Sequence, residues 1–254
     1  MKILVTNDDG FYAPGLRALV REFSREHTVW VCAPTLEHSG KSHAITLGPS
    51  LECHKTDFPH AKEAWRVDGT PADCVKMALS HLIRDPIDLV LSGINNGLNL
   101  GVSVFYSGTI SAAVEACLSN VAAVAVSTEH HRRPVYDEIA RHLHGVVKRL
   151  KPAPGTCHNV NYPDPRRIPW HSVMPARQSI QGFDETYKTE TLPGGATSYY
   201  LAGSVSPEQE PPDTDVSLQH RGAVTITPIR KDFTDREGLQ NLRNLFGNMP
   251  PPVC

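Results

Sequence analysis

The sequence predicts an α/β protein with a mostly parallel, doubly wound sheet in three layers, of the Rossmann-like kind. Through the first 150 residues, apolar runs of strand length alternate with segments of helical character. These runs are apolar at consecutive positions, as expected for parallel strands covered by helices on both faces. Fourteen of the 21 prolines follow residue 151, which disfavours long helices there. We therefore predict a core at residues 1–160 and an extension at residues 161–254.

The strands of the core are predicted from short apolar runs. Each run is four to six residues long and rich in aliphatic side chains, and a polar or glycine-containing segment follows it. The runs lie at residues 3–6, 28–33, 87–91 and 122–126.

The helices of the core are predicted from spacing and from residues that begin helices. After Pro14, apolar residues recur at helical spacing up to Phe23. Thr70 is a suitable N-cap, with Pro71 at the first helical position and Asp73 at the third. Two further helices are predicted at residues 110–118 and 134–150.

The extension is predicted to contain β-hairpins, extended arms and a terminal helix. A strand is expected at residues 223–227 and a helix at residues 235–246, with proline- and glycine-rich loops before them. Such arms suit contacts between subunits or the covering of a site.

Composition excludes several classes of function. The net charge is −2 and no long run of Lys or Arg occurs, so a nucleic-acid polymer is not an expected partner. The longest apolar stretches have strand length, so no membrane partner is expected. The start of the chain lacks the apolar region of a signal peptide, which predicts a cytoplasmic protein.

An acidic pair, Asp8 and Asp9, follows the first predicted strand after one residue, Asn7. Ligands of open parallel sheets bind outside the carboxyl ends of the strands. Two adjacent carboxylates at such a place repel each other unless a cation or a proton holds them together. A turn with one carboxylate capping the next helix is the simpler alternative, but polar residues after the other strands favour a metal site.

Other polar residues are predicted to reach the same edge of the sheet. Ser39 lies in the loop after the second strand, and Asn95 lies in a glycine-rich loop after the strand at residues 87–91. Carboxylate, hydroxyl and amide oxygens suit Mg²⁺ or Mn²⁺. Asp8, Asp9, Ser39 and Asn95 therefore form a candidate metal-ligand set.

The segment Ser107-Gly108-Thr109 precedes a predicted helix and is a candidate phosphate site. Glycine permits close approach of the backbone, the hydroxyls donate, and a helix N-terminus presents free N–H groups. An ordinary N-cap is the alternative interpretation. The chain lacks both the P-loop pattern and a Gly-x-Gly-x-x-Gly after the first strand, which argues against ATP-driven or NAD-dependent chemistry.

Taken together, these motifs resemble those of the survival protein SurE family, the 5′/3′-nucleotidases. The similar segments follow the family's order along nearly the whole chain. They lie at residues 3–10, 13–15, 39–40, 43–47, 69–75, 92–97, 106–109, 112–113, 159–163, 214–215 and 225–228.

The resemblance implies a metal-dependent phosphomonoesterase that hydrolyses nucleoside 5′- and 3′-monophosphates; action on short polyphosphate stays open. It implies one divalent ion per subunit, Mg²⁺ or Mn²⁺, on Asp8, Asp9, Ser39 and Asn95. It also implies a homodimer or homotetramer that exchanges C-terminal arms. The implied phosphate-binding residues are Gly40, Asn96, Ser107, Gly108 and Thr109.

For the reaction, we expect the metal to act as a Lewis acid on the phosphoryl oxygen and to position a water. Asp8 and Asn96 are the predicted catalytic residues, with Ser107 and Thr109 binding the developing charge. Asp8 as a nucleophile that forms an aspartyl-phosphate is the alternative.

Two rival functions come from other classes. A receiver-like signalling module also has an acidic pair after its first strand, but it requires an acceptor Asp and a Lys after later strands. Here Ser92-Gly93 and Ser127-Thr128-Glu129 occupy those places. A nucleotide-binding protein without turnover is the second rival.

Overall fold

The structure is a computed structural model that describes residues 1–132, 135–166, 170, 172–180, 184–204, 207 and 210–247. Its main feature is a twisted sheet of nine strands, which run β3-β4-β2-β1-β5-β6-β7-β11-β8 across the sheet. Their bounds are β1 Lys2–Thr6, β2 Thr28–Pro34, β3 Cys53–Lys55, β4 Glu63–Val67, β5 Leu89–Asn96, β6 Ala122–Thr128, β7 Cys157–Tyr162, β8 Val173–Pro175 and β11 Val224–Ile229.

Pairing in this sheet is mostly parallel. Strands β4, β2, β1, β5, β6 and β7 form a continuous parallel block. The antiparallel pairs are β3 with β4 and β11 with β7. The predicted fold class is confirmed.

Helices cover both faces of the sheet. Their bounds are α1 Pro14–Phe23, α2 Pro71–Met77, α3 Gly108–Leu118, α4 Tyr136–Leu150, α5 Asp215–His220 and α6 Arg236–Phe246. Apolar residues of α1 and α4 pack in one core cluster against the sheet, and those of α2 and α3 pack in a second cluster on the other face. The molecule therefore has the three predicted layers.

Local sequence explains how the helices start. Thr70 accepts a hydrogen bond from the backbone of Asp73, and the Asp73 carboxylate accepts one from the backbone of Thr70. This reciprocal capping satisfies N–H groups that the first turn leaves free. In α1, Gly15 lies so close to β5 that a Cβ there would overlap the carbonyl oxygen of Ile94. Glycine thus allows α1 to pack directly on the sheet.

Strand β5 differs from its prediction. The sequence suggests a strand at residues 87–91 followed by a loop, whereas the strand runs from Leu89 to Asn96. Its pairing with β6 shifts between Ser92 and Asn95 and then resumes. Pairing with β6 satisfies backbone groups that the glycine-rich sequence suggests are in a loop, whereas β1 pairs with β5 only as far as Ser92. Asn95 and Asn96 therefore belong to the sheet.

The residues after 160 contribute to the same sheet and add a hairpin. Strands β8 and β11 extend the sheet beyond β7. Strands β9, Asp184–Thr191, and β10, Thr197–Ser204, form a separate antiparallel hairpin, as predicted for this region. The division at residue 160 stays a prediction.

Two smaller points complete the fold. The predicted helix at residues 134–150 begins at Tyr136 in the structure, and Pro134 lies outside the described residues. Within the described part of the chain, every helix is too short or too polar to cross a lipid bilayer.

Candidate functional site

The candidate site lies outside the carboxyl ends of β1 and β5, in the middle of the sheet. Strand β1 pairs with β2 on one side and with β5 on the other, so the strand order reverses here. A crevice forms at such a switch point in doubly wound sheets. Asp8 and Asp9 follow β1 after a single residue, Asn7, and Asn95 and Asn96 end β5.

Asp8 joins the acidic pair to the start of α3. Its side chain is only 6% exposed, and its Oδ1 accepts a hydrogen bond of 2.5 Å from the Thr109 hydroxyl. Glycine at position 108 allows this contact, because a Cβ there would lie only 2.8 Å from Asp8 Cβ. Burial raises the pKa of the Asp8 carboxyl, and the Thr109 bond opposes that rise. Two motifs a hundred residues apart thus meet directly.

Asp9 lies in a field of negative charge. Burial, followed by the charges of Asp8 and Glu37, raises the pKa of Asp9 to about 7, although the backbone N–H of Asn96 partly stabilises its carboxylate. Three carboxylates grouped at one strand end favour the uptake of a proton or a cation. The electrostatics therefore fit a divalent metal.

The loop after β2 brings Ser39 and Gly40 towards this edge. The backbone N–H of His38 donates to the carbonyl of Asp8 at 2.8 Å, which ties the loop to the acidic pair. The Ser39 hydroxyl donates to Glu37 at 2.6 Å. Gly40 has a φ of +67° and is exposed. In the described structure, the Ser39 hydroxyl thus contacts Glu37 of its own loop rather than Asp8 or Asp9.

The two asparagines at the end of β5 are held by local hydrogen bonds. The amide nitrogen of Asn95 donates to the carbonyl of Gly97 at 2.6 Å, which leaves its amide oxygen available as a ligand. Asn96 donates to the carbonyl of His131 at 3.2 Å and accepts from its backbone N–H at 3.0 Å. Since an amide has two N–H groups, one donor of Asn96 stays available for a ligand.

Ser107, Gly108 and Thr109 form the N-terminus of α3, and all three are buried. The Ser107 hydroxyl accepts a hydrogen bond of 3.1 Å from the backbone of Ile110. Ser107 is thus an N-cap, the alternative that its sequence also allowed. The capping hydroxyl retains its proton, and the first turn retains N–H groups that an anion can use.

Unpartnered oxygens support a hard cation at this edge. Among the described residues, the buried side-chain oxygens of Thr6, Asn7 and Ser92 have no hydrogen-bond partner. Thr6 and Ser92 lie opposite each other in the β1–β5 register, and Asn7 precedes the acidic pair. An edge with carboxylates and free oxygens suits Mg²⁺ or Mn²⁺ better than a metal that prefers sulfur or imidazole.

Comparison with known proteins gives the family of this chain. A family model described as survival protein SurE matches residues 3–185. A 5′-nucleotidase SurE from Heliobacterium modesticaldum is 37% identical over 259 residues, covering 100% of this chain and 95% of the relative. A 5′-nucleotidase SurE from Rhodopirellula baltica is 38% identical over 249 residues, covering 96% and 98%.

The chain belongs to the survival protein SurE family.

A solved SurE structure has the same fold. The crystal structure of the SurE protein from Aquifex aeolicus matches with a TM-score of 0.84 at 31% identity. The match covers 96% of this chain and 99% of that chain. The family membership expected from the motifs is confirmed along the full chain.

Sequence reasoning missed several residues around this SurE site. Glu37 adds a third carboxylate near the acidic pair, and Tyr136 lies close enough for the charge of Asp9, together with the larger effect of burial, to raise its pKa to about 12. The backbone of His131 holds the Asn96 side chain, and the imidazole Nδ1 of His130 donates to the Asn96 carbonyl at 3.1 Å. The sequence contains enough information to find Glu37, since this residue lies in a loop after a strand that ends at the same edge of the sheet.

Proposed function

We propose that this chain is a divalent-metal-dependent phosphomonoesterase that hydrolyses nucleoside monophosphates to nucleoside and phosphate. The observation that carries the proposal is the contact between Asp8 and Thr109. It joins a cluster of carboxylates, which suits a cation, to a buried helix N-terminus, which suits a phosphate. Relatives across the full chain are 5′-nucleotidases by name. A SurE-family chain with this geometry fits that reaction class.

The metal is assigned to Asp8, Asp9, Ser39 and Asn95. The two carboxylates supply negative charge, and the hydroxyl and the amide oxygen complete a set of hard ligands. Ser39 must turn from Glu37 to reach the ion. When bound, one Mg²⁺ or Mn²⁺ per subunit supplies Lewis-acid polarisation of the phosphoryl group.

The phosphate is assigned to Gly40, Asn96, Ser107, Gly108 and Thr109. Ser107 and the first turn of α3 present donors, and the free amide N–H of Asn96 approaches from the end of β5. These donors are fixed before the substrate binds, so they stabilise developing negative charge without reorganisation. Asp8 and Asn96 are the residues to which we assign the catalytic roles. Asp8 acts as a ligand, which makes it a poor nucleophile.

Two exposed aromatic side chains support a nucleoside as the leaving group. Phe105 and Tyr106 immediately precede Ser107 and are largely exposed. The backbone and the hydroxyl of Ser42 donate to their carbonyls, which holds this segment beside the loop that carries Gly40. Aromatic faces next to a phosphate site offer stacking surfaces for a base. We assign both 5′- and 3′-monophosphates as substrates, while the cytoplasmic location stays a prediction.

We further propose that the protein is a homodimer or homotetramer whose C-terminal arms are exchanged. The hairpin β9–β10 supports this, because it pairs only with itself among the described strands. Large apolar side chains on it, such as Tyr199 and Leu201, are exposed.

The test is phosphate release from a panel of 5′- and 3′-monophosphates in Mg²⁺, Mn²⁺ or EDTA. Asp8→Asn is expected to lower kcat/KM at least ~1,000-fold, since it removes both a ligand and a charge. Asp85→Asn is the matched control, because Asp85 lies before β5, at the opposite end of the strands, and contacts Lys2 and Lys62. Its activity is expected to stay within about twofold of wild type.

Each outcome of this test has a clear meaning. Release that depends on metal and on Asp8 supports the proposed reaction. Nucleotide binding without release under any metal supports the nucleotide-binding alternative and overturns the enzyme. Accumulation of a phospho-enzyme on Asp8 supports the aspartyl-phosphate route over direct hydrolysis by water.

A further inference from the structure

A second cluster of metal-binding side chains lies far from the candidate site. Glu26 and His27 are in the turn between α1 and β2, and His144 is on α4. One ligand atom from each of the three lies within 4.8 Å of the others. His27 immediately precedes β2, so the cluster is at the amino ends of the strands, opposite the acidic pair. The proposed phosphomonoesterase reaction makes no use of it.

The two imidazoles have the spacing of zinc ligands. Two imidazole nitrogens bound at about 2.05 Å to one tetrahedral zinc lie about 3.3 Å apart, with ring centroids about 5.2 Å apart. In the structure, the Nε2 atoms of His27 and His144 are 3.3 Å apart, and their ring centroids are 5.2 Å apart. A head-on N–H···N hydrogen bond of that length would place the centroids about 5.6 Å apart. The observed separation therefore matches two rings that share one ion more closely than a head-on hydrogen bond.

A carboxylate orients one of these rings. Oε1 of Glu22 lies 3.2 Å from Nδ1 of His144, whose side chain is only 6% exposed. A carboxylate only accepts, so Nδ1 carries the proton and the lone pair of Nε2 faces His27. Zinc-binding histidines commonly have such a carboxylate partner, which fixes the ring and raises its basicity. Phe23 packs against the His144 ring at 4.7 Å between centroids and adds to its fixation.

Positively charged groups near the cluster affect how strongly a metal ion can bind to it. The Lys148 ammonium lies 2.8 Å from the Glu26 carboxylate, and the terminal ammonium of Met1 lies 3.4 Å from Nδ1 of His27. Lys148 is the direct competitor of the metal, because it neutralises the carboxylate ligand.

From this geometry we infer that His27, His144 and Glu26 form a zinc site that fastens the α1–β2 turn to α4. Imidazole nitrogens with one carboxylate suit Zn²⁺, whereas the oxygen-rich acidic pair suits Mg²⁺ or Mn²⁺. The chain therefore has two metal sites of different ligand chemistry, one at each end of its strands. The amino-end site has a structural role, since its ligands come from a turn and a helix that a bound ion would hold together.

The test is equilibrium binding of Zn²⁺ alone to the full chain carrying Asp8→Asn, which weakens the other site. One equivalent of zinc is expected to bind and to raise the thermal unfolding midpoint. Adding His27→Gln is expected to weaken zinc affinity at least ~30-fold, and adding Glu22→Gln to weaken it about 10-fold through loss of ring orientation. Adding Lys148→Ala is expected to strengthen it, because Glu26 loses its competing cation.

His54→Gln is the matched control. His54 belongs to an exposed group with Glu52 and Asp68, so its loss is expected to leave zinc affinity unchanged. His27→Gln in an otherwise wild-type chain is expected to keep Mg²⁺-dependent phosphate release, which separates this site from the proposed function. Co²⁺ in place of Zn²⁺ should give the strong visible absorption of a four-coordinate ion, and His27→Gln should remove it.

Two results would overturn the inference. One is the absence of stoichiometric zinc binding by the Asp8→Asn chain, which would make the imidazole pair an internal hydrogen bond. The other is zinc binding that His27→Gln leaves unchanged. His144 is buried and its substitution endangers folding, so the half-exposed His27 and the exposed Lys148 carry the test.

Discussion

The hydrogen bond from Thr109 to Asp8 joins the carboxylate proposed to hold the metal to the helix N-terminus proposed to bind phosphate. A buried carboxylate that accepts a hydrogen bond from a hydroxyl has a fixed rotamer and a fixed lone pair for a cation. The same bond holds the first turn of α3 against the strand end. One pair of residues thus fixes both the proposed metal ligand Asp8 and the proposed phosphate-binding turn.

At the same scale, the raised pKa of Asp9 predicts a pH effect on the metal-free protein. The pKa is about 7 in the folded state against an ordinary value of 3.8, so folding favours the protonated form. The resulting stabilisation is fully present below pH 3.8 and is lost as the pH rises through 7. In EDTA, raising the pH from 5 to 8 should lower the unfolding midpoint of wild type by at least ~3 °C relative to Asp9→Asn. Parallel midpoints for the two proteins would contradict the assignment, and added Mg²⁺ should abolish the difference.

A second prediction concerns the glycine behind Asp8. A Cβ at Gly108 would lie 3.0 Å from Asp8 Oδ2 and 2.8 Å from its Cβ, so Gly108→Ala should displace the carboxylate. We expect kcat/KM to fall at least ~10-fold, and Mg²⁺ to bind more weakly.

Gly145→Ala is the matched control for this substitution. Gly145 is in α4, where a Cβ would meet open space. The change should raise stability by about 0.5–1 kcal/mol and leave activity unaltered. Equal loss of activity in both variants would show that Gly108 does not act through Asp8.

At the scale of elements, buried polar side chains position the segment that leads into α3. Asn99 donates to Ser127 and accepts at its backbone from Asn159 and Asn161, all between 2.7 and 3.1 Å. Asp215, at the start of α5, accepts from the backbone of Gly101 at 3.0 Å and of Ser179 at 2.9 Å. The C-terminal half of the chain thus holds the segment at residues 99–101, which leads to the proposed phosphate-binding turn.

Asp215→Ala should therefore impair both stability and activity. Substitution leaves buried N–H groups of Gly101 and Ser179 without this acceptor, at about 1–3 kcal/mol for each group that stays unpaired. We expect the free energy of unfolding to fall by at least ~2 kcal/mol. As a positioning residue, Asp215 should affect KM for nucleotides more than metal affinity.

Asp213→Ala, two residues earlier, separates this effect from simple loss of charge. Asp213 is exposed and pairs with Arg177 at the surface. Its loss should leave the unfolding midpoint and KM essentially unchanged. If both variants behaved alike, the anchoring role of Asp215 would be wrong.

Elements whose signals are local were predictable from the sequence, and those set by distant neighbours were not. Thr70, Pro71 and Asp73 define the start of α2 within four residues, and the structure shows that capping arrangement. The sequence predicts the strand of β5 only as far as residue 91, because its last residues are strand only through pairing with β6. The candidate ligands follow from strand ends, whereas the anchoring by Asp215 depends on an approach of segments 114 residues apart.

At the scale of the whole molecule, the hairpin β9–β10 stands out by its exposed apolar face. Tyr187 and Leu201 are paired across the hairpin, and Tyr199 lies on the same face; they are 61%, 63% and 66% exposed. Exposed apolar strands are an aggregation risk unless a partner covers them. This face is therefore the expected contact with another copy of the chain.

Replacing this face should dissociate the oligomer. The double variant Tyr187→Asp and Leu201→Asp is expected to sediment as a monomer at micromolar concentration, where wild type sediments as a dimer or tetramer. Thr186→Asp on the opposite face of the hairpin is the control and should keep the wild-type mass. A wild-type chain that sediments as a monomer would overturn the oligomer proposal itself.

The order of strands also has a consequence for synthesis on the ribosome. The outer edge of β7 pairs with β11, which emerges more than sixty residues later. At about 5–20 residues per second, the nascent chain leaves this edge open for several seconds. During that interval β8 has no strand to pair with either, since its described partner is also β11. Chains that stop before residue 224 are thus expected to leave the outer edge of β7 unpaired. They should require chaperones even when the six parallel strands of the sheet have formed.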